Sequence, residues 1–243
     1  MNDRKQHLKV LVLLDNGHGI DTAGKRSPKL PDGRQLLEYK WCRETVALIA
    51  KRLEALGIEY RLVAPEEKDT PLSTRVSRAN KYYADAKKEG KLVMFISVHV
   101  NAKGMGNWEN ARGWSTWTSK GVTKGDALAQ CLCDEAKELL PKHNLRFRSD
   151  RSDGDDDYEA NYYVLVNTNM PATLSENFFM DNREDCEFLL DRKSNELCAD
   201  IHTGGIVRYI KKCGYWQEGA TATSGSTLVM NTLEGIFHKC RLV

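Results

Sequence analysis

The sequence predicts a single α/β domain, built on a twisted, open, mixed but mostly parallel sheet of about six strands with helices on both faces. Three observations predict it. Short apolar runs alternate with longer amphipathic stretches as far as Cys213, glycine or proline punctuates most junctions, and 243 residues with 41% hydrophobic content can bury one sizeable core. Each element follows from the chain in order.

Residues 8–15 form the first strand, and a polar loop over 16–37 carries Gly17, Gly19, Gly24, Pro28, Pro31 and Gly33. A loop that long is expected to serve function. A helix over 38–56 stops at Gly57, and Ile58 to Ala64 reads as the second strand. Thr70-Pro71 opens a helix to Glu89, with Pro71 suited to its first turn, and Gly90 ends it. Leu92 to Ala102 is an apolar strand containing His99, and Gly113 to Thr118 reads as another. A helix over 124–140 precedes an acidic stretch, Ser149 to Glu159, whose normal reading is a solvated loop. Tyr162 to Val166 reads as a strand, Ala172 to Glu176 as a further one, and helices at 182–190 and 193–212 close the domain. The predicted division is therefore a catalytic domain over 1–213 and a linker-like segment with a short tail over 214–243, where 228–243 could form one helix.

Three of the apolar runs end in residues that carry chemistry. His18 and His99 each stand just past a run, and a third run ends at Glu176. In neighbouring parallel strands the carboxyl ends share one edge, the usual place for a site in an open α/β sheet. Two imidazoles and a carboxylate would meet there. Neutral imidazole and carboxylate bind Zn²⁺ at about 2 Å and leave a position for water. A hydrolytic zinc of this kind commonly has three protein ligands and a separate Glu as general base, so one more acid is needed.

Helical phase selects it. At about 100° per residue, Cys42, Val46, Ile49, Leu53 and Leu56 fall within roughly 80° of Glu38, so Glu38 begins the buried stripe. Glu44, the competing acid, lies about 240° round, toward solvent. The preference for Glu38 holds if the helix starts at or before it.

These residues resemble the zinc-dependent N-acetylmuramoyl-L-alanine amidases of the amidase-3 type, from about Lys9 to Ile210. The matching pieces are Asp15-Asn16-Gly17-His18-Gly19, where the family usually has D-P-G-H-G, and Leu37-Glu38 at the first helix. They continue with Leu72, Arg75 and Ala79-Asn80, then Ile96 to Ala102 as I-S-x-H-x-N-A, and then Pro171 to Asn182, where the family often has E-x-G-F-x-x-N. The resemblance implies His18, Glu38 and His99 as zinc ligands and Glu176 as catalytic acid/base. It implies hydrolysis of the amide between N-acetylmuramic acid and the L-alanine of the stem peptide, so the expected partners are that peptide and the muramyl sugar. Asn16 replaces a proline and Asn177-Phe178 replaces x-Gly, substitutions expected to vary backbone geometry and spare the metal set.

Composition narrows the partners. A net charge of +2 with scattered Lys and Arg argues against nucleic acid, and no stretch approaches the ~18 apolar residues of a membrane span. The expected state is a monomer. Seven cysteines without a CxxC pair read as mostly buried thiols. Met1 to His7 carry no apolar signal segment, while the substrate lies in the cell wall; a phage lysin or a chain stripped of its leader would fit. Two rival functions remain: a zinc carboxypeptidase or other peptidase acting on wall peptides, and a noncatalytic wall-binding module.

His7, His143, His202 and His238 lack a comparable setting and are expected to be structural or solvated. The Asp-rich run at 150–157 has a cation site or a cleft wall as alternatives to a solvated loop. Trp108, Trp114 and Trp117 could stack on sugar, but Trp114 and Trp117 face opposite sides of a strand, so at least one is core.

Overall fold

The structure is a computed structural model that describes residues 8–104 and 106–216. It contains a six-stranded sheet in the order β2-β1-β3-β6-β4-β5. The strands are β1 (Val10–Asn16), β2 (Glu59–Leu62), β3 (Leu92–Asn101), β4 (Ser115–Thr118), β5 (Tyr158–Glu159) and β6 (Ala172–Phe179). The first two helices are α1 (Glu38–Ala55) and α2 (Leu72–Lys88), followed by α3 (Asp126–Leu139), α4 (Tyr163–Asn167), α5 (Arg183–Leu189) and α6 (Arg192–Lys212). Strands β2, β1, β3 and β6 run parallel, and β4 is antiparallel to β6. The three runs ending in His18, His99 and Glu176 are thus adjacent, as the sheet-edge argument requires.

Alternation divides the core. Val10, Val12, Leu14, Met94, Ile96, Val98 and Val100 pack with α1, α3 and α6, while Leu11, Leu13, Val93, Phe95 and Leu174 pack with α2 and α4 on the other face. Runs that are apolar on both faces are what parallel strands covered by helices on both sides need. Tyr215 and Trp216 pack against the first of these clusters. The six described cysteines are free, and all but Cys213 are buried. No helix among the described residues is long and apolar enough to cross a membrane. The tail helix expected over 228–243 lies outside the described residues.

Two segments depart from the sequence reading. Tyr162 to Val166 is not a strand; Tyr163–Asn167 is the short helix α4, packed on α2. Its β-branched and aromatic composition favours a strand, but five residues between Ala160-Asn161 and Pro171 cannot settle the choice, and docking on α2 does. The sixth strand is instead β5, two residues at the end of the acidic stretch, paired with Trp117 and Thr118. The last sheet run also continues three residues past Glu176, to Phe179.

One buried cation holds the end of β1 in place. The Arg75 side chain, 3% exposed, donates to Asp15 Oδ1 at 2.6 Å, to the carbonyls of Asn16 and Thr70 at 2.7 and 2.8 Å, and to Asp69 Oδ1 at 2.9 Å. Ser97 Oγ donates to the second Asp15 oxygen at 2.7 Å, tying β1 to β3. A buried charge left without its partner is strongly destabilising. Arg75→Met should therefore lower unfolding free energy by about 3–5 kcal/mol in urea melts; a loss under about 1 kcal/mol would show that the clamp is dispensable.

Candidate metal centre

Three elements converge on one carboxylate. Glu38 is the first residue of α1 and 1% exposed; the rotation of that helix is set by Trp41 Nε1 donating to Ser194 Oγ (2.9 Å) and Asn195 Nδ2 donating to Thr45 Oγ1 (3.0 Å), both on α6. Its Oε1 lies 3.2 Å from His99 Nδ1 and 3.5 Å from His18 Nε2, and accepts the Val100 amide at 3.1 Å. The imidazoles stand nearly perpendicular with centroids 5.0 Å apart, and each side chain is about one-fifth exposed, so the centre is reachable from solvent. Glu44 is exposed and lies 4.0 Å from Lys40, away from the centre, as helical phase indicates.

The geometry suits a metal. Donor atoms about 2 Å from a tetrahedral ion lie about 3.3 Å from one another, close to the two separations from Glu38 Oε1 to the imidazole nitrogens. Among the described residues this is the only group of three or more such side chains whose ligand atoms converge within 4.8 Å. Glu38 Oε2 is buried with no hydrogen-bond partner among the described residues, which is costly for a carboxylate unless it has a further charge to face.

Local backbone is bent to make this fit. His18 has φ +60°, a left-handed conformation that L side chains rarely adopt, and its carbonyl is held by Arg43 Nη1 at 2.9 Å. A Cβ on Gly17 would sit 2.6 Å from His99 Nδ1, so only glycine allows the imidazole this close to the loop. Glu176 is directly opposite His99 in the β3–β6 register. Just beyond it β6 carries one extra residue, and Phe178 takes φ +65° where the resembled pattern has glycine. The strain is offset by burial, for Phe178 is fully enclosed and edge-on to Phe188 at 5.2 Å. Asn177 stabilises the bulge, its Nδ2 donating to the His99 carbonyl (2.8 Å) and its Oδ1 accepting from Trp114 Nε1 (2.7 Å).

Electrostatics separates the four groups. Burial pushes the His18 imidazole down to about 4, so it stays neutral, the form that binds metal. Burial opposes charge on Glu38 and on His99 as well. Burial is the largest single influence on each, but the hydrogen bond between them and the surrounding charges together exceed it, lowering the Glu38 carboxyl and raising the His99 imidazole. Burial, abetted by the nearby Glu38 charge, lifts the Glu176 carboxyl to about 7 against the pull of His99 and Lys25. One acid is thus held ionised and its neighbour poised to exchange a proton near neutrality.

The remaining expected residues sort by place. His202 is structural: it is fully buried, with Nδ1 2.6 Å from the Cys198 carbonyl and Nε2 2.8 Å from Ser175 Oγ, and burial pushes it down to about 4. His143 is exposed, and His7 and His238 lie outside the described residues. Trp114 is core, Trp117 stacks on Tyr158 at 4.8 Å, and Trp108 lies under Arg183. In the acidic stretch Asp156 pairs with Lys137, and Asp157 accepts from Thr118 Oγ1 at 2.6 Å. Sequence reasoning passed over Arg43, because the pairing of its side chain with the His18 carbonyl leaves no periodic signal.

A family profile described as N-acetylmuramoyl-L-alanine amidase matches residues 12–208. The chain belongs to the N-acetylmuramoyl-L-alanine amidase family. Among similar proteins, this amidase is 26% identical to the endolysin of Bacillus phage SPP1 over 85% of the chain and 69% of that protein. It is also 26% identical to the amidase CwlM of Bacillus licheniformis, covering 82% of this chain and 68% of the relative. The solved amidase AmiC2 of Nostoc punctiforme superposes with a TM-score of 0.66 at 26% identity, over 84% of this chain and 99% of that one. An amidase structure from Clostridium difficile 630 shares the fold, with a TM-score of 0.67 at 24% identity over 83% and 97%.

Crowding at Gly17 gives a direct check on the amidase's centre. Gly17→Ala should leave the far-ultraviolet circular dichroism unchanged yet weaken divalent-metal binding about 10- to 100-fold in competition with a chromophoric chelator. Wild-type affinity would mean that His99 is not held where metal binding needs it.

Proposed function

We propose that this amidase cleaves the bond between N-acetylmuramic acid and the L-alanine of the stem peptide, with His18, Glu38 and His99 holding a catalytic zinc and Glu176 as general acid/base. The observation that carries the reading is the shared Glu38 carboxylate, at 3.2 and 3.5 Å from two imidazole nitrogens, with a fourth ionisable group in register beside them. When bound, zinc supplies Lewis acidity, polarising the scissile carbonyl and making hydroxide available near neutral pH. Two neutral imidazoles and one carboxylate leave the loaded centre a formal charge of about +1, which favours a developing oxyanion.

The chain's own residues do the rest. Glu176 Oε2 is shielded and has no partner among the described residues, so it is free to take a proton from water and pass it to the leaving amine. A carboxyl lifted to about 7 serves both halves of that transfer, as base toward water and as acid toward nitrogen. A wall-binding module has no use for such a group, which argues against a noncatalytic role. The peptidase alternative keeps the same centre and differs only in the bond presented to it.

Substrate is peptidoglycan, and the site of action is the cell wall. The likeness to a phage endolysin supports a lysin role. We take the chain to act as a monomer, with residues 1–213 the catalytic domain and 214–243 a linker and tail.

Two experiments test this. In digests of purified peptidoglycan the wild type should release stem peptides with a free L-alanine amino terminus, whereas loss of a terminal amino acid alone would make it a peptidase. Glu176→Gln should bind zinc normally and lose about 10²- to 10⁴-fold in turnover, while Glu38→Gln should lose the metal and Glu44→Gln should change neither. A Glu176→Gln enzyme with near-normal turnover would remove that residue from the chemistry.

A further inference from the structure

On β4, side chains alternate between two surroundings. Thr116 Oγ1 lies 3.0 Å from Cys133 Sγ of α3, so it faces the α3 side, and Trp117 packs with Leu174 on the opposite side. Ser115, two residues from Trp117, shares that side. Its register partner on β6 is Glu176. Residues directly opposed in an antiparallel pair place their Cβ atoms about 4.5–5.5 Å apart on one face, within reach of a hydroxyl and a carboxylate.

Both groups lack a partner. Ser115 is fully buried and its Oγ makes no hydrogen bond to any described residue; Glu176 Oε2 is buried and equally unmatched. A buried hydroxyl without a partner is a net cost to folding, so stability alone gives no reason for serine at this position, where alanine would fit the space. The strand itself is well fixed. Gly113 N–H is held by Asp185 Oδ2 at 2.8 Å and Trp114 N–H by the Arg146 carbonyl at 2.9 Å, which leaves rotation about χ1 as the freedom available to the hydroxyl.

We propose that Ser115 is the positioning residue for Glu176: its hydroxyl turns to donate a hydrogen bond to the Glu176 carboxylate and holds Oε2 in line for proton transfer. The inference rests on the assignment of Glu176 as acid/base. Ser115 touches neither metal nor substrate in this account. It acts by limiting the rotamers of the carboxylate, so it bears on the chemical step and leaves substrate binding alone.

The test uses the zinc-loaded full chain and a soluble N-acetylmuramoyl peptide. Ser115→Ala should lower kcat by about 10- to 100-fold with KM and zinc affinity close to wild type, while its thermal midpoint stays level or rises. Ser115→Thr, which restores the hydroxyl, should recover most of kcat. Wild-type kcat in Ser115→Ala, a loss of kcat accompanied by a fall in melting temperature, or a rise in KM alone would each overturn the proposal. Glu176→Gln run alongside separates the two claims. If that variant is inactive while Ser115→Ala is fully active, only the positioning role falls; if Glu176→Gln is active, the assignment beneath it falls as well.

Discussion

A single carboxylate, taken out of water and set between two imidazoles, is the constraint to which the rest of this structure answers. Glu38 is 1% exposed, and only one of its oxygens finds donors among the described residues. Burying an acid in this way is unfavourable unless opposite charge arrives with it, so the arrangement makes sense for a chain that binds a cation at that point. The surrounding architecture delivers the three side chains there. Parallel register brings His99 and Glu176 level, α6 fixes the rotation of α1, and Arg75 with Ser97 secures the end of β1 from which the His18 loop departs.

Strain gathers at the same place. Among the described residues three non-glycine residues have positive φ, and two of them, His18 just past β1 and Phe178 on β6, stand on either side of β3 at the centre. Each such conformation costs on the order of 1–3 kcal/mol and persists only where packing over-determines it. Arg43 supplies that at His18, and the enclosed aromatic pair Phe178–Phe188 supplies it at the bulge. The amidase therefore keeps a strained turn without the glycine that its resembled pattern uses there, by converting the side chain into core.

Much of this is legible in the amino-acid sequence. The convergence of the strand ends carrying His18, His99 and Glu176 is readable because neighbouring parallel strands share one carboxyl edge, and the burial of Glu38 rather than Glu44 because an amphipathic helix has a phase. What escaped has a common cause. The Tyr163–Asn167 helix, the β5 pair, the bulge after Glu176 and the facing of Ser115 on Glu176 are all decided by which segment lies alongside which. Pairing of that kind has no period along the chain, so local pattern cannot display it.

X-ray absorption at the zinc edge of the loaded protein reads which side chains surround the ion. With His18, Glu38 and His99 as ligands, the inner shell consists of nitrogen and oxygen scatterers at about 2.0–2.1 Å, with the multiple-scattering signature of two imidazoles and no sulfur. A sulfur scatterer at about 2.3 Å, or a shell without imidazole, would contradict it.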